Sequence, residues 1–383
     1  MENYKVLVVL LFMFFISTFV YYYFEEYTAK SGLIFGTTDP INHMGFLMNV
    51  EDEAHHANWN YYYGYHLTVH YFAKLMHMPL WSATNMFLAF TSLLFVPLGV
   101  LAISDQFEFK DFTLPVTMYV FGTSVAVHSL FVGFWSQAWF TVFYLLEVAI
   151  LFYYNKTENK QVLSFIWPLQ FFITSAHLAG AYFNLVTLAL FTILNRKAAK
   201  ITVPALIISF VLITVLFSSP FHYFGGYLHQ AVTGEYEYME QPNTHLRGIV
   251  DPEPTFPAIH SELIPTITFS LPLTFFFLYE LKHQIRSPEM NRKNLLMLLA
   301  LIALPLIFIA AEPNNRATMI AIPFGCILAA KGYERIMDKF DPLKRVALRM
   351  TVWPAMFLIL YISINSYILH YSDYAIVILD PVI

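Results

Sequence analysis

Apolar runs long enough to cross a bilayer recur along the whole chain, separated by short polar and basic stretches. A helix needs about 20 apolar residues to cross the hydrocarbon. On that measure the pattern predicts spans near 5–23, 84–104, 112–133, 137–154, 161–175, 178–194, 201–220, 263–281, 294–311, 317–330 and 351–370. Trp167-Pro168 and His177 interrupt the stretch 161–194, which reads either as two short spans or as a re-entrant pair. Two polar segments, 24–83 and 221–262, are too long to be turns, and long loops are often functional. Within the first, Tyr61–Met78 reads as an amphipathic helix lying along the membrane interface. Tyr65, Val69, Phe72 and Met76 recur on one face, and His66, His70 and Lys74 repeat on another. The second carries Glu235, Glu237 and Glu240, then Asp251-Pro252-Glu253-Pro254, as a lid or docking surface would.

Composition agrees with a body facing lipid. Of the 383 residues 58% are apolar and 12% charged, about half the charged share of a soluble domain. A net charge of -5 gives no reason to expect nucleic acid. A single cysteine, Cys326, excludes an internal disulfide and a cysteine metal cluster. Residues 6–20 resemble a signal peptide in hydropathy. Tyr21, Tyr22, Tyr23 and Phe24 follow without a small-residue cleavage site, so an uncleaved first span ending in an aromatic belt is expected.

With the N-terminus inside and the spans alternating, every Lys and Arg falls on the inner side except Lys30, Lys74, Arg247 and Arg316. A span missed or added in mid-chain would scramble that partition. The histidines divide the other way, with only His283 inside. The expected protein is therefore an all-α, multi-pass integral membrane protein of one transmembrane domain, 1–383, with its chemistry outside the cytoplasm. In a prokaryote that membrane is the plasma membrane.

Several polar residues are candidates for chemistry, each beside a plainer reading. In Asp39-Pro40-Ile41-Asn42-His43, beyond the first span, Asp39 can cap a helix with Pro40 at its first position. Asn42 and His43 then lie one turn on, close to the Asp39 side chain. Glu51-Asp52-Glu53-Ala54-His55-His56 could contribute to a divalent cation site, Mg or Mn, or be a solvated acidic loop. Consecutive residues cannot all face one ion, so such a site would combine Asp52 and His56 with Asp39 or Asp251. Trp59 and Tyr63 can stack on a sugar or belong to an interfacial belt. Arg316, an outer arginine at the membrane rim, can hold a phosphate or pair with Glu312. His177, in Ser175-Ala176-His177-Leu178-Ala179-Gly180, can reach the same phosphate or bond to a backbone carbonyl. Glu147, in mid-span, faces the bundle interior with a polar partner. There is no phosphate-binding glycine loop and no His-Glu-x-x-His motif.

Three stretches carry a resemblance to the GT-C superfamily of membrane glycosyltransferases, which includes the catalytic subunit of oligosaccharyltransferases and the protein mannosyltransferases. Asp39-Pro40-Ile41-Asn42-His43 resembles the Asp-Pro-x-x-His of that family's first outer loop. Tyr63-Gly64-Tyr65-His66 with its helix and the span 84–104 is similar to the helical part of that loop. Asn315-Arg316-Ala317, running into Ile322-Pro323-Phe324-Gly325 and Ala329-Ala330-Lys331-Gly332-Tyr333, is similar to a late-span pattern. The resemblance implies sugar transfer from a polyprenyl-phosphate donor, with inversion, to a glycan, lipid or protein acceptor on the outer face. Asp39 is then the catalytic base. Asn42, His43, Glu51, Asp52, His55 and His56 lie near the acceptor or a metal. Arg316 and His177 bind the lipid phosphate, and Trp59 and Tyr63 stack on sugar. The family's second acidic motif is missing, since Gly133-Phe134-Trp135-Ser136-Gln137 holds no acid. The rival reading is a transporter of lipid-linked glycans or a protein that binds the lipid carrier without chemistry.

Overall fold

The structure is a computed structural model, described here for residues 3–31, 33–34, 47, 63–123, 125, 135–216, 270–311, 316–371 and 376–377. Its helices are α1 (Asn3–Ser31), α2 (Tyr63–Met76), α3 (Leu80–Ser104), α4 (Leu114–Gly122), α5 (Trp135–Thr157), α6 (Ile166–Ala176), α7 (Leu178–Leu194), α8 (Ala199–Leu216), α9 (Leu271–Arg286), α10 (Arg292–Ala311), α11 (Arg316–Asp338) and α12 (Pro342–Tyr371). The fold is all-α apart from one two-residue antiparallel pairing, β1 (Leu33–Ile34) with β2 (Ile376–Val377), in which Leu33 faces Val377. Among the described residues four helices are long and apolar enough to cross a membrane, at Tyr4–Lys30, Leu80–Ser104, Ser136–Thr157 and Arg196–Val215.

Local chemistry sets many of the helix ends. Ser270 accepts the Leu273 N–H at 3.4 Å and opens α9, with Pro272 in the first turn. Asp341 accepts the Lys344 N–H at 3.0 Å just before Pro342 opens α12. At the end of α2, His77 adopts a left-handed backbone (φ 51°) and the Met78 N–H bonds back to the Ala73 carbonyl at 3.1 Å. Within α3 the turn widens to a π-helix over Thr91–Phe95, immediately before Pro97, which has no N–H to give the Leu93 carbonyl.

Several helices run past the apolar runs that announced them. α1 continues to Ser31, α11 to Asp338, and α12 begins at Pro342. Hydropathy marks the edge of the hydrocarbon, whereas backbone bonding continues through polar residues such as the Glu26–Lys30 pair, one turn apart. α4 is shorter than the predicted span 112–133. It stops at Gly122, where Thr123 is extended, and the freed Gly122 carbonyl accepts the Ser270 N–H at 3.2 Å. Residues 126–134 lie outside the described residues.

The interrupted stretch resolves as a helical hairpin. α6 has 11 residues, about 16 Å, roughly half the hydrocarbon thickness. His177 is extended between α6 and α7. Gln170 and Asn184, each seven residues from it, are hydrogen-bonded at 2.7 Å. Collinear helices would hold those residues about 20 Å apart, so the chain reverses at His177. α8 then runs alongside α6, with Trp167 Nε1 donating to the Ile201 carbonyl at 2.8 Å and Thr174 meeting Ser209 at 3.3 Å.

Basic residues gather at one end of the bundle. There Lys110 pairs with Asp338, Lys197 with Glu158, and Arg335 with Glu280 and Glu289, while Lys293 donates to Asn195. The connections 105–113, 158–160, 195–198, 287–291 and 339–341 all lie at this end. Lys30 and Lys74 lie at the other, where Glu25 and Thr28 of α1 meet Ser82 and Asn85 at the start of α3.

The outward surface is apolar, with Phe15, Phe19, Ile193, Val215 and Leu271 each at least 66% exposed. α1 turns only the stripe Met13, Ser17, Phe24 and Thr28 inward. Several interior hydroxyls are satisfied within their own helices: Ser17, Ser104 and Thr141 each donate to the carbonyl four residues back, at 2.7–2.8 Å. A close contact joins α9 to α11. At Gly332 a β-carbon would strike the Phe276 carbonyl, so the two backbones touch.

Candidate functional site

The end of the bundle away from the basic residues brings together two of the predicted elements. The first turn of α2 wedges against the tip of the α6–α7 hairpin. Gly64 lies so close to Ser175 that any β-carbon there would collide with it. Tyr65 and His66, next along α2, are both buried. His66 shares the helical spacing of His70 and Lys74, yet it is wholly covered while Lys74 is exposed. The buried face is wider than the spacing suggests because α2 packs on both α3 and the hairpin tip. His70 Nδ1 lies 3.1 Å from the Leu47 carbonyl and so ties α2 to the long segment before it.

His177 sits at the hairpin tip, 6% exposed, with its ring 6.3 Å from that of Phe140. Its Nδ1 accepts the Gly180 N–H at 3.1 Å, which makes it the N-cap of α7. The sequence offered a phosphate or a backbone carbonyl as its partner; its Nδ1 takes a backbone N–H. Acceptance at Nδ1 leaves Nε2 to carry the proton of the neutral ring. The ring lies beside the N-terminus of a 17-residue helix, a position that attracts anions.

A carboxylate unremarked in the sequence lies at the same end. Glu25 accepts from Ser82 Oγ at 2.9 Å and from Asn85 Nδ2 at 3.2 Å, and Tyr21 donates to Ser82 at 3.1 Å. Glu25 directly follows the aromatic belt Tyr21, Tyr22, Tyr23 and Phe24.

Asp39, Asn42, His43, Glu51, Asp52, His55, His56, Trp59 and Asp251 lie outside the described residues, as does Glu312. The metal combination of Asp39, Asp52 and His56 lies there too. Tyr63 opens α2 and Arg316 opens α11. Among the described residues no three His, Cys, Asp or Glu side chains gather as a metal site would require.

Glu147 has found its polar partner. It is completely buried, and Gln170 Nε2 donates to its Oε2 at 2.6 Å. Asn184 Nδ2 in turn donates to Gln170 Oε1 at 2.7 Å. Glu147 Oε1 and Asn184 Oδ1 have no hydrogen-bond partner among the described residues. Gln170 and Asn184 were invisible as a pair in the sequence because only the hairpin turn at His177 brings them together.

At the basic end, electrostatics fasten α9 to α11. Arg335 donates to Glu280 through Nε at 2.8 Å and to Glu289 through Nη2 at 2.8 Å. Glu280 is fully buried and also accepts from Gln284 at 2.6 Å. Hydrogen bonds from Arg335 first, then His283, hold the Glu289 carboxyl down at about 2. Burial holds the Glu334 carboxyl above its usual range.

No known family model matches this chain, and no curated protein matches it.

Proposed function

We propose that the chain is an inverting glycosyltransferase that moves a sugar from a polyprenyl-phosphate donor to a glycan, lipid or protein acceptor. The reaction lies at the end of the bundle away from the basic residues, taken as extracytoplasmic, with the N-terminus cytoplasmic and about eleven crossings in one transmembrane domain. The observation that carries this reading is the convergence of three elements at that end. The chain leaves α1 there towards Asp39; α2 begins there at Tyr63-Gly64-Tyr65-His66; and the hairpin tip offers His177 at a helix N-terminus. α11 starts with Arg316 and ends at the basic face, where its Asp338 meets Lys110, which supports putting Arg316 at the reacting end.

In this reading Asp39 takes the proton of the acceptor hydroxyl as its oxygen attacks the anomeric carbon from the face opposite the leaving group. The bond from that carbon to the polyprenyl phosphate oxygen breaks, and the electron pair leaves on the phosphate. The Arg316 guanidinium receives the phosphate bidentately, and the α7 N-terminus with His177 adds positive potential. Asn42, His43, Glu51, Asp52, His55 and His56 surround the acceptor, and Trp59 and Tyr63 stack on sugar. Mg or Mn would be held by Asp39, Asp52 and His56.

The test is sugar transfer by purified protein from a labelled donor panel. Asp39→Asn is expected to lower kcat by about 10²–10⁴-fold with donor binding retained. Equal turnover in the two proteins removes Asp39 from the mechanism.

A second reading, passage of a lipid-linked glycan across the membrane, is favoured by one observation, the fully buried Glu147–Gln170–Asn184 chain. Donor scrambling in vesicles that survives Asp39→Asn and fails in Glu147→Leu would favour it.

A further inference from the structure

The basic end contains a cavity of about 410 Å³ that the glycosyl-transfer reading does not use. Its volume lies within the range of small-molecule sites. The ends of α5, α9, α10 and α11 and the loop after α3 line it with polar groups, among them Glu108, Asn155, Lys156, Asn294, Lys331 and Arg335.

Most of these groups are already engaged. Arg335 is neutralised by Glu280 and Glu289. Lys331 donates to the Glu108 carbonyl, lies 3.8 Å from Glu334 and sits 4.2 Å from the centre of the Phe109 ring. Among the groups left are the exposed Glu108 carboxylate and three groups on α5 and α10. Asn155 Nδ2 donates to Asn294 Oδ1 at 2.7 Å, but Asn155 Oδ1 is buried and has no partner among the described residues. Asn294 Nδ2 likewise makes no hydrogen bond there. Turning both amides over exchanges their roles and still leaves one acceptor and one donor unused. Lys156, next to Asn155 in the last turn of α5, pairs with no carboxylate among the described residues.

An unused acceptor beside an unused donor matches a hydroxyl, which both gives and takes a hydrogen bond. A lone ammonium matches an anion. We propose that this cavity binds a phosphate ester carrying free hydroxyls, of the glycerol phosphate kind, with the phosphate on Lys156 and a hydroxyl between Asn155 and Asn294. The same chemistry occurs in a soluble polyol phosphate and in the headgroup of phosphatidylglycerol. The cavity lies at the opposite end of the bundle from the hairpin tip and the start of α2, so the proposal stands or falls apart from glycosyl transfer.

The full chain in phosphatidylcholine nanodiscs is titrated with sn-glycerol 3-phosphate by calorimetry. In parallel, nanodiscs with and without phosphatidylglycerol are opened in a native mass spectrometer and the retained lipid is counted. Saturable binding of one equivalent is expected in at least one arm. It should weaken about tenfold or more in Lys156→Glu and in Asn155→Leu, as loss of a charge contact or of a polar partner requires. Lys160→Glu, an exposed lysine outside the cavity, controls for bulk charge and should leave binding unchanged. Because the Lys156 side chain is solvent-exposed, its variant keeps the test open even if Asn155→Leu does not fold. Binding of glycerol 3-phosphate assigns a soluble ligand, and retention of phosphatidylglycerol alone assigns a headgroup. No binding in either arm overturns the proposal, as does binding that weakens equally in Lys160→Glu.

Discussion

At the scale of single residues, the interior polar groups decide where a substitution is felt. Glu147 depends on Gln170 for its one strong hydrogen bond. Gln170→Leu should destabilise the fold by about 1–3 kcal/mol, because a buried carboxyl loses its donor and keeps its desolvation cost. The pair Gln170→Leu with Glu147→Leu should recover most of that loss, since two apolar groups replace an unsatisfied one. Unfolding in detergent of the single and double variants measures it, and a double variant less stable than either single would refute the argument. Gly332 makes the opposite kind of demand. A β-carbon there meets backbone rather than a movable side chain, so Gly332→Ala should cost about 1–3 kcal/mol by forcing α9 and α11 apart. The sequence showed Glu147 as an interior carboxyl and Gly332 as part of a late-span pattern. What each touches was hidden, because those partners come from helices distant in sequence.

At the scale of elements, His177 carries two separable roles. As the N-cap of α7 its imidazole replaces a function that asparagine also performs. His177→Ala should therefore cost about 1 kcal/mol of stability, and His177→Asn should restore most of it. If His177 also meets the donor phosphate, His177→Asn should still raise KM for the donor, whereas a capping role alone leaves KM unchanged. Thermal unfolding and donor kinetics on the two variants separate the outcomes. The hairpin shows which features were legible. Trp167-Pro168 and His177 marked the interruption of 161–194, because proline and a polar residue break an apolar pattern wherever they stand. Only the Gln170–Asn184 contact says that the chain folds back. The candidate site divides in the same way. Gly64 beside Ser175 and His66 in the core are packing facts, and periodicity within α2 cannot report a contact with another helix. Asp39-Pro40 stood out as a candidate because its residues are adjacent in the chain.

For the whole molecule, the lysine partition and the packing describe one arrangement from independent starting points. Counting charges along the chain put nearly all Lys and Arg on one side. The structure joins the loops that carry them through Lys110–Asp338, Lys197–Glu158 and the Arg335 clasp. That clasp has a pH signature. The Glu289 carboxyl is held at about 2, below its ordinary 4.5, so its folded form prefers the charged state. Its contribution is fully present above about pH 4.5 and is lost as pH falls towards 2. The stability difference between wild type and Glu289→Gln should be constant from pH 7 to 5 and shrink below pH 4. Exposure of the carboxylate keeps that difference small. Sidedness itself is open to a direct test. Cys326 is the only cysteine and is buried, so a Cys326→Ala background leaves no competing thiol. Lys197→Cys reports the basic end and Tyr71→Cys the other, and both positions are exposed. In sealed, right-side-out membrane vesicles a membrane-impermeant maleimide should label Tyr71→Cys and reach Lys197→Cys only after permeabilisation, as basic loops facing the cytoplasm require. The reverse pattern would move the Asp39 segment to the cytoplasmic side and remove the outer-face donor from the mechanism. Labelling of both in sealed vesicles would mean that the two ends do not lie on opposite sides of one bilayer.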